Sequence, residues 1–150
     1  GVGTEAVTSA IKVGTPTGPG FPSAAPLDSS AKVSWSASVA NGSPILGYVV
    51  TPVKGTTVLA SQVFNSTATT QTVTGLVNGT TYTFRVAAFN AVGTGPYSTT
   101  GSIKVGVPSA PTGVTAVTGV GQATVSWTAP ADNGSAITNY VVTPYKAGVA

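Results

Sequence analysis

The sequence contains no cysteine, no histidine and no methionine, and charged residues make up only 6% of its 150 positions. Without cysteine the chain can form neither a disulfide framework nor a thiolate metal site. Without histidine it also lacks the commonest general base and the commonest metal ligand. The three acidic residues, Glu5, Asp28 and Asp132, lie far apart in the sequence, so no two carboxylates are placed for glycoside hydrolysis. We therefore expect no enzyme activity and no catalytic, cofactor-binding or metal-binding residues.

Positive charge is also sparse and scattered. The net charge of +3 rests on six basic residues spread along the chain: Lys12, Lys32, Lys54, Arg85, Lys104 and Lys146. A nucleic-acid surface needs several such residues on one face to displace condensed counterions. No apolar run approaches the length that crosses a bilayer. The sequence therefore predicts neither a nucleic-acid partner nor membrane insertion.

What the chain has in abundance is glycine, proline, threonine and serine, together with 41% hydrophobic residues. This mixture suits short strands separated by turns better than helices. The apolar content is high enough to fill a core. We expect an all-β protein.

An internal repeat sets the domain organisation. The stretch AKVSWSASVANGSPILGYVVTPVKG at 31–55 returns as ATVSWTAPADNGSAITNYVVTPYKA at 123–147. Trp35 matches Trp127 and Tyr48 matches Tyr140, at a constant offset of 92 positions (127 − 35 and 140 − 48). An offset of this size is too long for a solenoid repeat and matches one small β-domain.

The repeat is out of phase with the chain. The IKVG at 11–14 matches the IKVG at 103–106, so residues 1–15 read as the last strand of a preceding repeat. Residues 16–106 read as one complete repeat, and residues 107–150 as the first three strands of a following one. With no methionine in the sequence, we expect a processed product or a window on a longer tandem array.

Alternating apolar residues identify the strands and the core of the complete repeat. In TYTFRVAAFN, Tyr82, Phe84 and Val86 share one face, and Thr83, Arg85 and Ala87 share the other. Glycine-containing turns separate about seven such strands, which favours a two-sheet sandwich. The expected structural core comprises Trp35, Tyr48, Leu76, Tyr82, Phe84 and Val86, with Trp127 and Tyr140 in the second copy.

These residues resemble fibronectin type III domains, in particular the tandem copies of secreted or cell-surface bacterial proteins. The resemblance rests on APTGVTAVTGVGQATVSWTAP, on NGSPILGY and on GLVNGTTYTFRVAAFNAVGTGPYS. It implies seven-stranded immunoglobulin-like sandwiches in tandem. Tyr82 matches the tyrosine-corner position, where a phenol hydroxyl ties one corner of the sandwich to nearby backbone.

The beginning of the complete repeat departs from this pattern. TPTGPGFPSAAPLDSSAKVSW carries extra prolines at positions 19, 22 and 26 that PSAPTGVTAVTGVGQATVSW lacks. Proline cannot donate a ladder hydrogen bond. We therefore expect a ragged or altered first strand.

Three surface features have two readings each. Phe89 and Tyr97 flank a turn and are candidate contact residues, either for a neighbouring repeat or for the sugar rings of a polysaccharide. GTGPYS begins like a dinucleotide-binding loop, but a strand rather than a helix is expected after it. Asn-x-Ser/Thr triplets, which can accept glycans in a secretory host, begin at Asn41, Asn65, Asn78 and Asn133. Three of them coincide with Asn-Gly turns, which is the alternative reading.

These observations favour a non-catalytic spacer in a long extracellular or cell-surface multidomain protein. Its partners would be neighbouring repeats of the same chain, held semi-stiffly because the junction KVGVPSAP is short and carries two prolines. Two alternatives stay open. One is a subunit of an extracellular filament or phage appendage in which identical chains pack laterally, and the other is an accessory module of a secreted polysaccharide-degrading enzyme.

Overall fold

A computed structural model describes residues 1, 3–4 and 13–145 of the chain. Most of the strand expected within residues 1–15 lies outside this range. The described residues contain eleven strands and no helix, so none of them forms a helix that could cross a bilayer. The strands are β1 Gly20–Leu27, β2 Ser30–Ser36, β3 Ile45–Lys54, β4 Thr57–Val58, β5 Gln62–Phe64, β6 Thr70–Thr74, β7 Thr81–Asn90, β8 Ser98–Thr99, β9 Ile103–Lys104, β10 Thr112–Gly119 and β11 Gln122–Thr128.

The first nine strands form a sandwich of two antiparallel sheets. One sheet has the order β1-β2-β6, and the other has the order β4-β3-β7-β8 with β5 added to β3 and β9 to β7. Segments β4 and β5 both pair with β3, and segments β8 and β9 both pair with β7. Each of these two pairs counts as one interrupted strand, so the nine segments correspond to seven strands. The expected all-β sandwich of the fibronectin type III kind is confirmed.

The core lies between the sheets and follows the alternation of the sequence. All six residues expected in the core of the complete repeat are buried, and Val33, Val50, Val73 and Val105 join them. The rings of Trp35 and Tyr48 pack at a centroid distance of 4.9 Å. Ala87, which the alternation places on the outer face, is also buried.

The expectation of a ragged first strand was wrong. Strand β1 pairs with β2 from Leu27↔Ser30 to Gly20↔Ser36, with a register shift only between Gly20 and Ser23. Pro22 falls within that shift, where no regular ladder bond is required. Pro26 is tolerated because β1 is an edge strand, whose outward N–H groups have no strand to bond.

Residues 107–145 contain a hairpin that copies β1–β2. Strand β10 pairs with β11 from Gly119↔Gln122 to Thr112↔Thr128, with its register shift between Thr112 and Thr115. Each of these pairs lies 92 positions after its counterpart in the first hairpin. Trp127 and Tyr140 also pack at 4.9 Å, with an interplanar angle of 54° against 56° for the first pair.

This second unit differs from expectation in two ways. No third strand forms, because residues 129–145 find no partner equivalent to β5 or β7 among the described residues. For the same reason no opposing sheet covers the two aromatic residues expected in its core. Trp127 is only half-buried and Tyr140 is 40% exposed.

The Tyr82 corner makes a testable contribution to stability. Its hydroxyl accepts a hydrogen bond of 3.2 Å from the backbone N–H of Val77, while the ring is buried. We expect Tyr82→Phe to lower the free energy of unfolding by about 1 kcal/mol, since the Val77 N–H loses its acceptor in the protein. Denaturant titration measures this loss. Tyr97→Phe, at a phenol that is 56% exposed, is the matched control and should leave the midpoint unchanged. Equal midpoints for both variants would contradict the role of the corner.

Candidate functional site

A buried asparagine organises the end of the sandwich where β7 finishes. Asn90 is 5% exposed. The two hydrogens of its Nδ2 are shared among the backbone carbonyl oxygens of Gly14, Ala40 and Ser43, which lie at 2.9, 3.1 and 3.2 Å. Its Oδ1 accepts from the N–H groups of two residues in the following turn, Val92 and Gly93, at 2.9 and 3.1 Å. One side chain thus ties together the segment before β1, the turn between β2 and β3 and the turn after β7.

The glycines of GTGPYS serve this packing. A Cβ at Gly95 would collide with the carbonyl oxygen of Pro16, and one at Gly93 would come within 3.3 Å of the Thr15 methyl. Pro16 is fully buried there. The turn leads into strand β8 rather than a helix, so no helix N-terminus is present to hold a phosphate. The glycines permit a close approach of two backbones.

The two candidate contact residues have different surroundings. The Tyr97 ring is exposed and has the Arg85 guanidinium 4.7 Å from its centroid, a cation–π contact. Phe89 is half-buried and lies over Gly47 of β3, where a Cβ would come within 2.8 Å of its ring. Gly47 therefore leaves room for Phe89 on the outer face of the sheet. Tyr97 is the more accessible of the two.

Three of the four asparagines in Asn-x-Ser/Thr triplets use their side-chain amides within the protein. Asn41 Nδ2 donates to the Thr15 carbonyl at 2.8 Å. Asn78 Nδ2 donates to the Asp28 carboxylate at 2.7 Å, and Asn133 Nδ2 donates to the Val107 carbonyl at 3.1 Å. Asn65 is exposed after β5. The Asn-Gly sites therefore have structural roles as turns and contacts.

The carboxylates of the described residues also have local structural roles. The Asp28 carboxylate, in the turn between β1 and β2, accepts from the Asn78 amide in the turn between β6 and β7. Asp132 accepts from the N–H of Gly134 at 3.1 Å within a turn. Within residues 13–145 no three acidic, histidine or cysteine side chains are grouped to hold a metal ion. Glu5 lies outside the described residues.

Solved structures share this sandwich. The FN1–FN3 domains of chicken CNTN1 align with 25% identity and a TM-score of 0.56, over 69% of this chain and 38% of theirs. The twitchin kinase region from C. elegans aligns with 26% identity and a TM-score of 0.50, over 59% and 16%. A structure of titin kinase and its flanking domains aligns with 23% identity and a TM-score of 0.53, over 62% and 18%, and supports the fold alone. The chain spans well under half the length of each of these proteins.

The sandwich, its paired core aromatics and its corner tyrosine define an immunoglobulin-like β-domain. The sequence matches the fibronectin type III domain family over residues 15–104, and the chain belongs to that family. Domains of this family are generally structural or linker modules of multidomain proteins and are typically non-catalytic. They commonly occur in extracellular or surface proteins.

The role of Asn90 was not predicted from the sequence. Its place at the end of a long alternating strand, on the inward parity of Tyr82 and Phe84, was the available signal. A polar side chain at an inward position must satisfy its hydrogen bonds within the protein.

The Asn90 network predicts a large effect from a small substitution. We expect Asn90→Asp to lower the free energy of unfolding by about 2–3 kcal/mol at neutral pH, because a carboxylate cannot donate to three carbonyls and is buried beside them. Burial should raise the pKa of the new carboxyl above its unfolded value. The deficit is therefore greatest above the folded pKa and shrinks as the pH falls through it.

Urea titration at several pH values measures this effect. Asn65→Asp makes the same chemical change at an exposed position and is the matched control. Equal stability of the two variants would show that the Asn90 side chain does not hold the three segments together.

Proposed function

We propose that this protein is a non-catalytic spacer segment of a long extracellular protein of the secreted bacterial kind, built from fibronectin type III units in tandem. Residues 1–15 would end one unit, residues 16–106 form the complete unit, and residues 107–150 begin the next. The partners of each unit would be its neighbours in the chain. The segment would project or link other domains.

One observation carries this proposal, namely the geometric copy at an offset of 92 positions. The two hairpins share their register and the position of their shift, and their Trp–Tyr pairs share a 4.9 Å separation. Two unrelated segments would not reproduce both the ladder and the ring packing. The copy supports a second unit of the same fold directly after the first.

The chemistry of the surface supports a mechanical rather than a catalytic role. Both described carboxylates take part in turns, through Asn78 and through Gly134. The amides of three asparagines hold backbone carbonyls or a carboxylate. These carboxylates and amides hold loops in place, as a rigid connecting element requires.

A second candidate function is a subunit of a self-assembling filament. It is favoured by an open apolar groove of about 420 Å³ in the second unit, lined by residues that include Val114, Val125, Trp127 and Tyr140. Strands from another chain could cover this groove by β-strand addition. Under the tandem spacer proposal, later strands of the same unit would cover this groove instead.

The intact mass of the native polypeptide separates these two functions. We expect a mass several times the 14.6 kDa of this chain, since a spacer array consists of many units. Mass spectrometry of material isolated from its source, without recombinant truncation, provides the measurement. A native mass near 14.6 kDa would contradict the spacer proposal and favour strand exchange between subunits.

A further inference from the structure

The turn at Asp132–Ser135 of the second unit lies against the end of the complete domain. Asn133 contacts Gly106, where an added Cβ would come within 2.9 Å of the Asn133 Cβ and 3.0 Å of its carbonyl oxygen. The Asn133 side chain donates to the Val107 carbonyl at 3.1 Å. On the domain side, the N–H of Gly79 donates to the Val105 carbonyl at 2.7 Å, which holds the Asn78–Gly79 turn beside the same segment.

Glycine is required on both sides of this contact. A Cβ at Gly134 would collide with the carbonyl oxygen of Lys104. Gly134 and Gly106 also have φ values of 94° and 143°, in the region that side chains disfavour. A Cβ at Gly79 would lie 3.7 Å from Asn133 Oδ1. The two surfaces therefore meet through backbone, which leaves little freedom for rotation between them.

At the other end of the complete domain, the Asn41–Ser43 turn contacts the segment that precedes it, where the N–H of Gly14 donates to the Asn41 carbonyl at 2.9 Å. Asn41 Nδ2 donates to the Thr15 carbonyl at 2.8 Å, as Asn133 does to the Val107 carbonyl. The N–H of Thr17 donates to the Val39 carbonyl at 3.0 Å, and the matching bond 92 positions later has the same length. The later bond joins the Ser109 N–H to the Ala131 carbonyl. Because Thr17 and Val39 both lie in the complete unit, and Ser109 and Ala131 both lie in the second, this repeated bond fixes the turn of each unit in the same place within its own unit.

We infer that the complete domain carries both halves of one end-to-end joint. The leading half is the Asn41–Ser43 turn, and the trailing half consists of the Asn78–Gly79 turn and the Lys104–Gly106 segment. The partner that fits each half is another fibronectin type III unit bearing the complementary residues. Successive units are therefore held in one fixed orientation rather than swinging on a linker, an inference that rests on the proposed tandem spacer.

The absence of cysteine allows a direct test in the whole chain. Spin labels are placed through Thr57→Cys in β4 and Thr124→Cys in β11, both exposed and outside the joint. Pulsed electron paramagnetic resonance then gives the distribution of distances between the two spin labels, one in each unit. We expect a narrow distribution that roughly doubles in width in Gly134→Ala, because a junction without its specific contact moves as a flexible linker.

Gly121→Ala is the matched control. Gly121 also lies in a turn of the second unit with a positive φ of 67°, but a Cβ there would meet open space. Asn133→Asp is a second variant, because aspartate accepts the φ of 49° at this position while replacing the amide donor with a carboxylate that faces the Val107 carbonyl. It should broaden the distribution as well.

Three outcomes would overturn the joint: a broad distribution in the parent chain, an unchanged distribution in both joint variants, or equal broadening in Gly121→Ala. None of them bears on the native mass that tests the spacer proposal. Conversely, a native mass near 14.6 kDa together with a narrow distance distribution would contradict the tandem array but not the contact between the two units.

Discussion

The structure depends on two sheets closing over one apolar layer. One sheet contributes Val33, Trp35 and Val73, and the other contributes Tyr48, Phe84 and Val86. Burying each large apolar side chain is worth about 1.5–3 kcal/mol relative to exposure, so the layer provides most of the driving force. Neither sheet can bury its inner face alone. The Tyr82 corner and the Asn90 network stabilise a sandwich that this layer has already brought together.

The second unit illustrates the same constraint by its contrast with the first. Its hairpin reproduces the register and the aromatic pair of the complete domain, so local pairing does not require the opposing sheet. Yet Tyr140 remains exposed where Tyr48 is 1% exposed. The groove beside Trp127 lies on a face of the second hairpin that no opposing sheet covers among the described residues.

Much of the fold could be predicted from the sequence because burial follows parity along a strand. The alternation in β7 identified Tyr82, Phe84 and Val86, and the repeat identified the second hairpin. The first strand could not be predicted in this way because proline breaks a ladder only where its nitrogen must donate, and the sequence does not reveal that β1 is an edge. The Asn90 network and the joint depend on loops that approach from distant parts of the chain. Their glycines read as turn residues until the neighbouring backbone, such as the Lys104 carbonyl beside Gly134, is known.

Native-state hydrogen exchange on the whole chain tests most directly that closure of the two sheets is what stabilises the fold. Amides of β2, β3 and β7 should exchange only through global unfolding of the complete domain. Amides of β10 and β11 should exchange at least about a hundredfold faster, since their hairpin opens without breaking a closed core. Equal protection of the two hairpins at high dilution would contradict this account, because the hairpin would then be stable without an opposing sheet.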